Sequence, residues 1–239
     1  MEIQVQTAER HTTSSRSMES DFDRYLDAIA DAAGIFRSAV HSYLKSGPDG
    51  VCWQQAKRIS ERLRTLEYIQ QKLETGVPGL ALSAGLVAAM MDALAGVSRL
   101  LKDMKRQITG FAIESGFSGP GRHVPSYLVP DVKDLTEEVC AAVEALVEGR
   151  RPDTLWWENP LSGDDERSVG WYERRSDRLS MQLIKRIFSD ATVSVEMKLA
   201  LAQLVEEIDR VADNAEAIDR KLHASRLGSR PNSRLRNSH

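Results

Sequence analysis

Apolar residues return every third or fourth position along six stretches of this chain, each long enough for several helical turns. In the first, Asp21 to Lys45, the repeating positions are Tyr25, Ile29, Ala32, Ala33, Phe36, Val40 and Leu44. Ser20 or Asp21 caps its start, and Ser46-Gly47-Pro48 stops it. The second, Val51 to Thr75, carries Ala56, Ile59, Leu63, Leu66, Ile69 and Leu73 and closes at Gly76-Val77-Pro78. An Ala- and Leu-rich third runs from Leu80 to Ile108. Glycines and prolines then crowd residues 110–130, a connector. Asp131 to Glu148 follows with Val132, Leu135, Val139, Ala142, Val143 and Leu146 on one side. A loop containing Trp156 and Trp157 leads to Trp171–Phe188, and a turn near Ala191–Ser194 leads to Leu199–Leu222. In that last stretch the apolar side is Leu201, Leu204, Val205, Ile208, Val211, Ala212, Ala215, Ile218 and Leu222.

The order is three helices, connector, three helices, which predicts an all-α protein of two tandem three-helix bundles. The boundaries are residues 20–109 for the first bundle, 110–130 for the connector and 131–224 for the second. Residues 1–19, polar and Ser/Thr-rich, read as a disordered lead, and 225–239 as a basic disordered tail. That tail would be solvated, or would touch anionic headgroups or an acidic cytoplasmic loop.

Composition narrows the function. Of the 239 residues 41% are apolar and 6% aromatic, enough for two helical cores. A net charge of −3 argues against nucleic acid as a partner. Cys52 and Cys140 are far apart and outside any C-x-x-C, so they read as small core residues of a reducing compartment. No apolar stretch would span a bilayer, and the first residues lack a signal-peptide core. The expected location is the cytoplasm, with peripheral contact at the inner face of the cell membrane left open.

The chemistry lies in the acids of the last two helices. Asp209, Asp213 and Glu216 share one edge of Leu199–Leu222, directly beside its apolar face. Like charges at that spacing cost roughly 0.2–0.5 kcal/mol per pair in an isolated helix. In Trp171–Phe188 the buried stripe is drawn through Ser180, Ile184, Ile187 and Phe188, with Met181 and Leu183 at its margins. Extended backwards by whole turns, it reaches Asp177 and Glu173. Carboxylates facing a core must be paired, neutralised or bound to metal. Glu173, Asp177, Asp209, Asp213 and Glu216 are therefore candidate ligands for a hard or borderline cation. The plainer alternative leaves them hydrated, or paired with Arg174, Arg175 or Arg210.

The E-x-x-x-D of Glu173–Asp177 and the D-x-x-x-D of Asp209–Asp213 resemble the acidic signatures of the PhoU family. The spacing between them, and the closing E-I-D-R-V-A-D-N-A-E, are more similar to those of the related Pit accessory proteins. The resemblance implies two three-helix bundles in tandem with a metal cluster on the second and third helices of each. It implies a non-enzymatic cytoplasmic regulator of phosphate uptake whose partner is a Pit-type membrane phosphate transporter. Fe, Mn, Mg or Zn would be the metal. A homo-oligomer is left open.

Laying one half on the other sets Glu61 opposite Glu173, Thr65 opposite Asp177, Asp92 opposite Asp209, Gly96 opposite Asp213 and Arg99 opposite Glu216. Most of the acids are missing from the first half, so any cluster is expected only in the second. A ferritin-like di-iron enzyme would need Glu-x-x-His pairs, and none of His11, His41, His123, His223 and His239 follows a Glu at that distance. No P-loop, nucleophile elbow or dinucleotide fingerprint occurs, and no catalytic residue is assigned. A carboxylate-metal hydrolase or oxidase, and a plain helical interaction module, remain the competing readings.

Overall fold

A computed structural model describes residues 2–47, 51–76, 84–113, 124–149 and 167–228. The described residues form helices α1 (Glu2–Ser46), α2 (Val51–Gly76), α3 (Ala84–Ile113), α4 (Val129–Glu148), α5 (Val169–Ser189) and α6 (Val195–Gly228), with no strand among them. α1, α2 and α3 pack on one another, as do α4, α5 and α6. The two bundles are joined twice over, α1 lying on α4 and α3 on α6. Their interiors merge into one core, from Ile29 and Phe36 through Leu100 and Met104 to Val143 and Ile208.

The apolar periodicities bury as their spacing requires. On α4, Val132, Leu135, Val139, Ala142, Val143 and Leu146 are inside. On α6, Leu201, Leu204, Val205, Ile208, Val211, Ala212, Ala215 and Ile218 are inside. Cys52 and Cys140 are buried and form no disulfide, and burial pushes the Cys140 thiol up to about 12. It behaves as a small apolar side chain and not as a nucleophile.

Helix ends follow local chemistry. Pro130 sits in the first turn of α4, where its missing N–H costs nothing. The Ser168 hydroxyl caps α5 by accepting from Trp171 N at 3.1 Å. Asp190 shapes the α5–α6 turn, accepting from Thr192 N at 2.8 Å and from Thr192 Oγ1 at 2.6 Å, and Tyr127 also donates to it. Arg186 pairs with Asp131 and lies 5.7 Å from the centre of the Tyr127 ring, which fastens that turn to the start of α4. Across the two bundles, Arg37 of α1 bridges Glu137 at 2.9 Å and Glu144 at 2.8 Å on α4.

Two boundaries differ from the sequence expectation. The lead expected over residues 1–19 is helical from Glu2 onward. It is polar, but it holds no Gly or Pro to interrupt a helix already nucleated by the packed half of α1. α6 likewise runs past Leu222 to Gly228, into the segment expected as a tail. The remainder of that tail, residues 114–123 of the connector, and Trp156 and Trp157 lie outside the described residues.

The α3–α6 joint has a steric cause. Gly96 is buried, and a Cβ placed there would meet Ile218 Cγ1 at 2.9 Å. The position opposite Asp213 in the repeat is thus where the helices of the two halves approach most closely on a glycine. Gly96→Ala should lower stability by about 1 kcal/mol, because overpacking of ~1–3 kcal/mol outweighs the ~1 kcal/mol gain in helix propensity. Combining it with Ile218→Ala should cost less than the sum of the two single changes. Urea midpoints of the four proteins measure both effects, and strict additivity would place the contact elsewhere.

Candidate metal centre

α5 and α6 run antiparallel, joined by the short turn at residues 190–194, and their seam passes through Ser176, Ser180, Leu183 and Ile187 on α5. This seam lies slightly around the helix from the stripe expected. Phe188 is 48% exposed and Met181 74% exposed, because the row buried against α4 and α6 runs through Ser176, Ser180, Leu183 and Ile187 instead. Glu173 continues the true row and is half-buried, whereas Asp177 stands at its edge, exposed.

The rotation leaves the carboxylates close together. One carboxylate oxygen from each of Glu173, Asp177 and Asp213 lies within 4.8 Å of the other two. Donors held 2.0–2.6 Å from one ion are at most about 5 Å apart, so this spread matches a single coordination sphere. Asp209, one turn before Asp213, is more deeply set. Its Oδ1 is buried without a hydrogen-bond partner. The Ser176 and Ser180 hydroxyls both act on Asp209, but Ser176 Oγ also donates to Glu173 O at 2.9 Å. One hydroxyl proton cannot serve both acceptors at once. Glu216 stands outside the group of three and pairs with Arg220 at 2.5 Å.

Electrostatics follow from that crowding. Burial, then the charges of Glu216, Asp177 and Asp213, raise the Glu173 carboxyl to about 7. Burial, then Asp177 and Asp213, raise Asp209 to about 6 against the lowering effect of the two serines. Asp213 is raised by burial, Asp177 and Glu216, with Arg210 and Arg220 opposing. Arg175, a candidate partner for these acids, turns away: it pairs with Glu138 at 2.6 Å and lies 4.7 Å from the centre of the Trp171 ring.

The donor set is all oxygen. Among the described residues no histidine or cysteine joins it; His41 faces Glu137 and His223 faces Asp219. An oxygen-only group with an orphaned buried carboxylate oxygen behind it fits a hard cation. Five acids were expected to converge; three do so directly, Asp209 backs them, and Glu216 is held apart. Sequence reasoning missed Ser176, whose signal was its place one turn before Ser180 on the seam, and Arg220, whose signal was its spacing of four from Glu216.

The first half has no such group among the described residues. Glu61 is exposed, the Thr65 hydroxyl donates to Glu61 O at 3.2 Å, and Arg99 Nε donates to Ala95 O at 3.5 Å. The Asp92 side chain lies outside the described residues.

These shifts set a pH dependence for the metal-free protein. Glu173 and Asp209 have folded pKa values above their ordinary ones, so between about pH 4 and pH 7 the folded chain binds more protons than the unfolded chain. Their contribution favours folding at the acidic end of that window and is lost as pH rises through it. The melting temperature should fall from pH 5 to pH 7.5. Asp209→Asn should flatten the fall and add about 1 kcal/mol at pH 7.5, after discounting for solvent screening. Calorimetric melts across the range measure this, and a curve that rises instead would mean the acids are not crowded.

No protein-family model and no curated protein matches this sequence. Among solved structures, the chain is similar to a PhoU-like protein from Shewanella oneidensis MR-1, at 14% identity and a TM-score of 0.72. The alignment covers 88% of this chain and 99% of that one. It is also similar to a protein of the same organism proposed to be a PhoU-like phosphate regulatory protein, at 13% identity and a TM-score of 0.69, with 88% and 99% covered. At such identities the likeness is one of backbone course. The described residues have the all-α, six-helix PhoU-like fold.

Proposed function

We propose that this chain is a regulator of inorganic phosphate transport that docks on a membrane phosphate transporter of the Pit type and carries a metal ion in its second bundle. The observation that carries the reading is the group formed by Glu173, Asp177 and Asp213 across the α5–α6 seam. The fold adds to it, since one structural neighbour is proposed to be a phosphate regulatory protein. Among the described residues no helix is long and apolar enough to cross a membrane, so contact with the bilayer in this reading is peripheral.

Glu173, Asp177 and Asp213 would hold the ion, with Asp209 and Glu216 as the nearest further carboxylates. Mg, Mn or Fe suits oxygen donors better than Zn, which favours His and Cys. Bound there, the cation supplies positive charge that neutralises the cluster. The chain's own residues do the rest. Asp209 and the two serines orient the inner side of the site, and the apolar seam below them holds α5 against α6. Because α6 also lies on α3 through Ile218 and Gly96, fixing the α5–α6 pair stiffens the joint between the bundles.

Elemental analysis of protein purified without chelator should find bound metal. At a hundred times its dissociation constant the metal should add about 2.7 kcal/mol of stability. Asp177→Asn together with Asp213→Asn should abolish both the metal and the added stability. A wild-type protein that gains nothing from Mg, Mn or Fe would end the metal reading. Docking is tested separately. Affinity capture of the tagged chain from detergent-solubilised native membranes should bring down a phosphate transporter, and its absence at every salt concentration tried would overturn that part.

A further inference from the structure

We infer that Arg220 sets the affinity of this site by holding Glu216 while no metal is bound and releasing it when one binds, an inference that rests on the cation reading above. Glu216 is three residues past Asp213, on the same edge of α6. Its charge is felt by both Glu173 and Asp213, so it stands near the group. Yet its carboxylate is not among the three that cluster; it faces the Arg220 guanidinium at 2.5 Å. Arg220 also acts on Asp213. One arginine therefore occupies a candidate fourth ligand and places a positive charge beside a third.

The pair is weak enough to exchange. The Arg220 side chain is 70% exposed, and an exposed ion pair at this helical spacing is worth only about a factor of two in an equilibrium constant. A doubly charged ion at the carboxylates competes easily with that. Glu216 needs only a rotamer change to turn from one helical turn to the other, since residues three and four apart are surface neighbours. The other nearby arginines are placed differently: Arg174 acts on Glu173 and opposes the rise of its carboxyl. Arg175 is committed to Glu138 and the Trp171 ring, and Arg210 opposes Asp213 without holding Glu216. Arg220 is thus a positioning residue: it acts on the cation through Glu216.

The test is a Mn titration of the full chain, read by isothermal calorimetry and by the shift in unfolding temperature. Arg220→Gln should bind Mn about three- to tenfold more tightly than wild type, because a competing cation is gone and Glu216 is free. Glu216→Gln should bind roughly tenfold more weakly. In the Glu216→Gln background the gain from Arg220→Gln should shrink to no more than that from Arg210→Gln, which removes a charge near Asp213 but frees no ligand. Arg220→Lys, with one point charge and no fork, should lie between wild type and Arg220→Gln. Equal or weaker binding by Arg220→Gln, or a gain that persists in full without Glu216, would overturn the inference and leave the site itself standing. A wild-type chain that takes up no Mn overturns both.

Discussion

Like charge held at short range across the α5–α6 seam is the constraint around which the second bundle is arranged. Two unit charges 4 Å apart repel by about 1 kcal/mol in water and about 4 kcal/mol near a protein surface. One carboxylate oxygen from each of Glu173, Asp177 and Asp213 lies within 4.8 Å of the other two, only a little beyond that separation, with Asp209 behind them. The helices do not part because their apolar positions hold them from below. Leu183 and Ile187 of α5 and Val205, Ile208 and Val211 of α6 are all buried in the common core. The small side chains of Ser176 and Ser180 replace apolar residues just where Asp209 arrives. A leucine at either position would fill the space and remove the hydroxyl dipoles that steady the carboxylate.

The two halves have divided the work. Where the second bundle places Asp213, the first places Gly96, and the absence of a side chain there lets α3 lie against Ile218 of α6. The position of the missing acid is therefore one of the contacts that join the bundles. A carboxylate at residue 96 would be driven into Ile218, buried and unpaired, at a cost of several kcal/mol. The same α6 thus presents acids toward α5 and apolar side chains toward α3. One helix therefore serves both the α5–α6 seam and the α3–α6 joint. On the opposite side, Arg37 ties α1 to Glu137 and Glu144 of α4, so the bundles are anchored at two edges.

Much of this was legible in the residue pattern. Five of the apolar rows are long or regular enough that their phase is unambiguous, and α4 and α6 bury the side chains that spacing alone selects. α5 is different. The expected stripe ran through Ser180, Ile184, Ile187 and Phe188 with Met181 and Leu183 at its margins, and the buried row keeps Ser180 and Ile187 but takes Leu183 and Ser176 in place of Phe188. Periodicity cannot choose between two rows a fraction of a turn apart. Packing against α4 and α6 together buried the row with serines, which left Met181 and Phe188 exposed and Asp177 at the rim. Glu173 lies on the buried row, and it, Asp177 and Asp213 are the three of the five acids that come together. The depth of Asp209 was not legible, since burial depends on the facing helix. The polar stretch of α1 was misread because composition reports whether a segment can build a core, and not whether a neighbouring helix can extend through it.

The site is best understood through what neutralises it. In the metal-free chain three kinds of positive charge are available. Protons sit on carboxyls whose affinity is raised to about 7 at Glu173 and about 6 at Asp209. Arg220 holds Glu216, and Arg210 offsets Asp213. A metal ion would be a fourth, and it would compete with the first two for the same oxygens. Cation binding at neutral pH would then expel a fraction of a proton from Glu173 and free one arginine, so affinity falls with acidity and depends on salt. A group this crowded is never indifferent to its counter-charge. Its protonation follows pH, its ion pairs follow ionic strength, and a bound metal would displace both, on the same helix that meets Gly96 through Ile218.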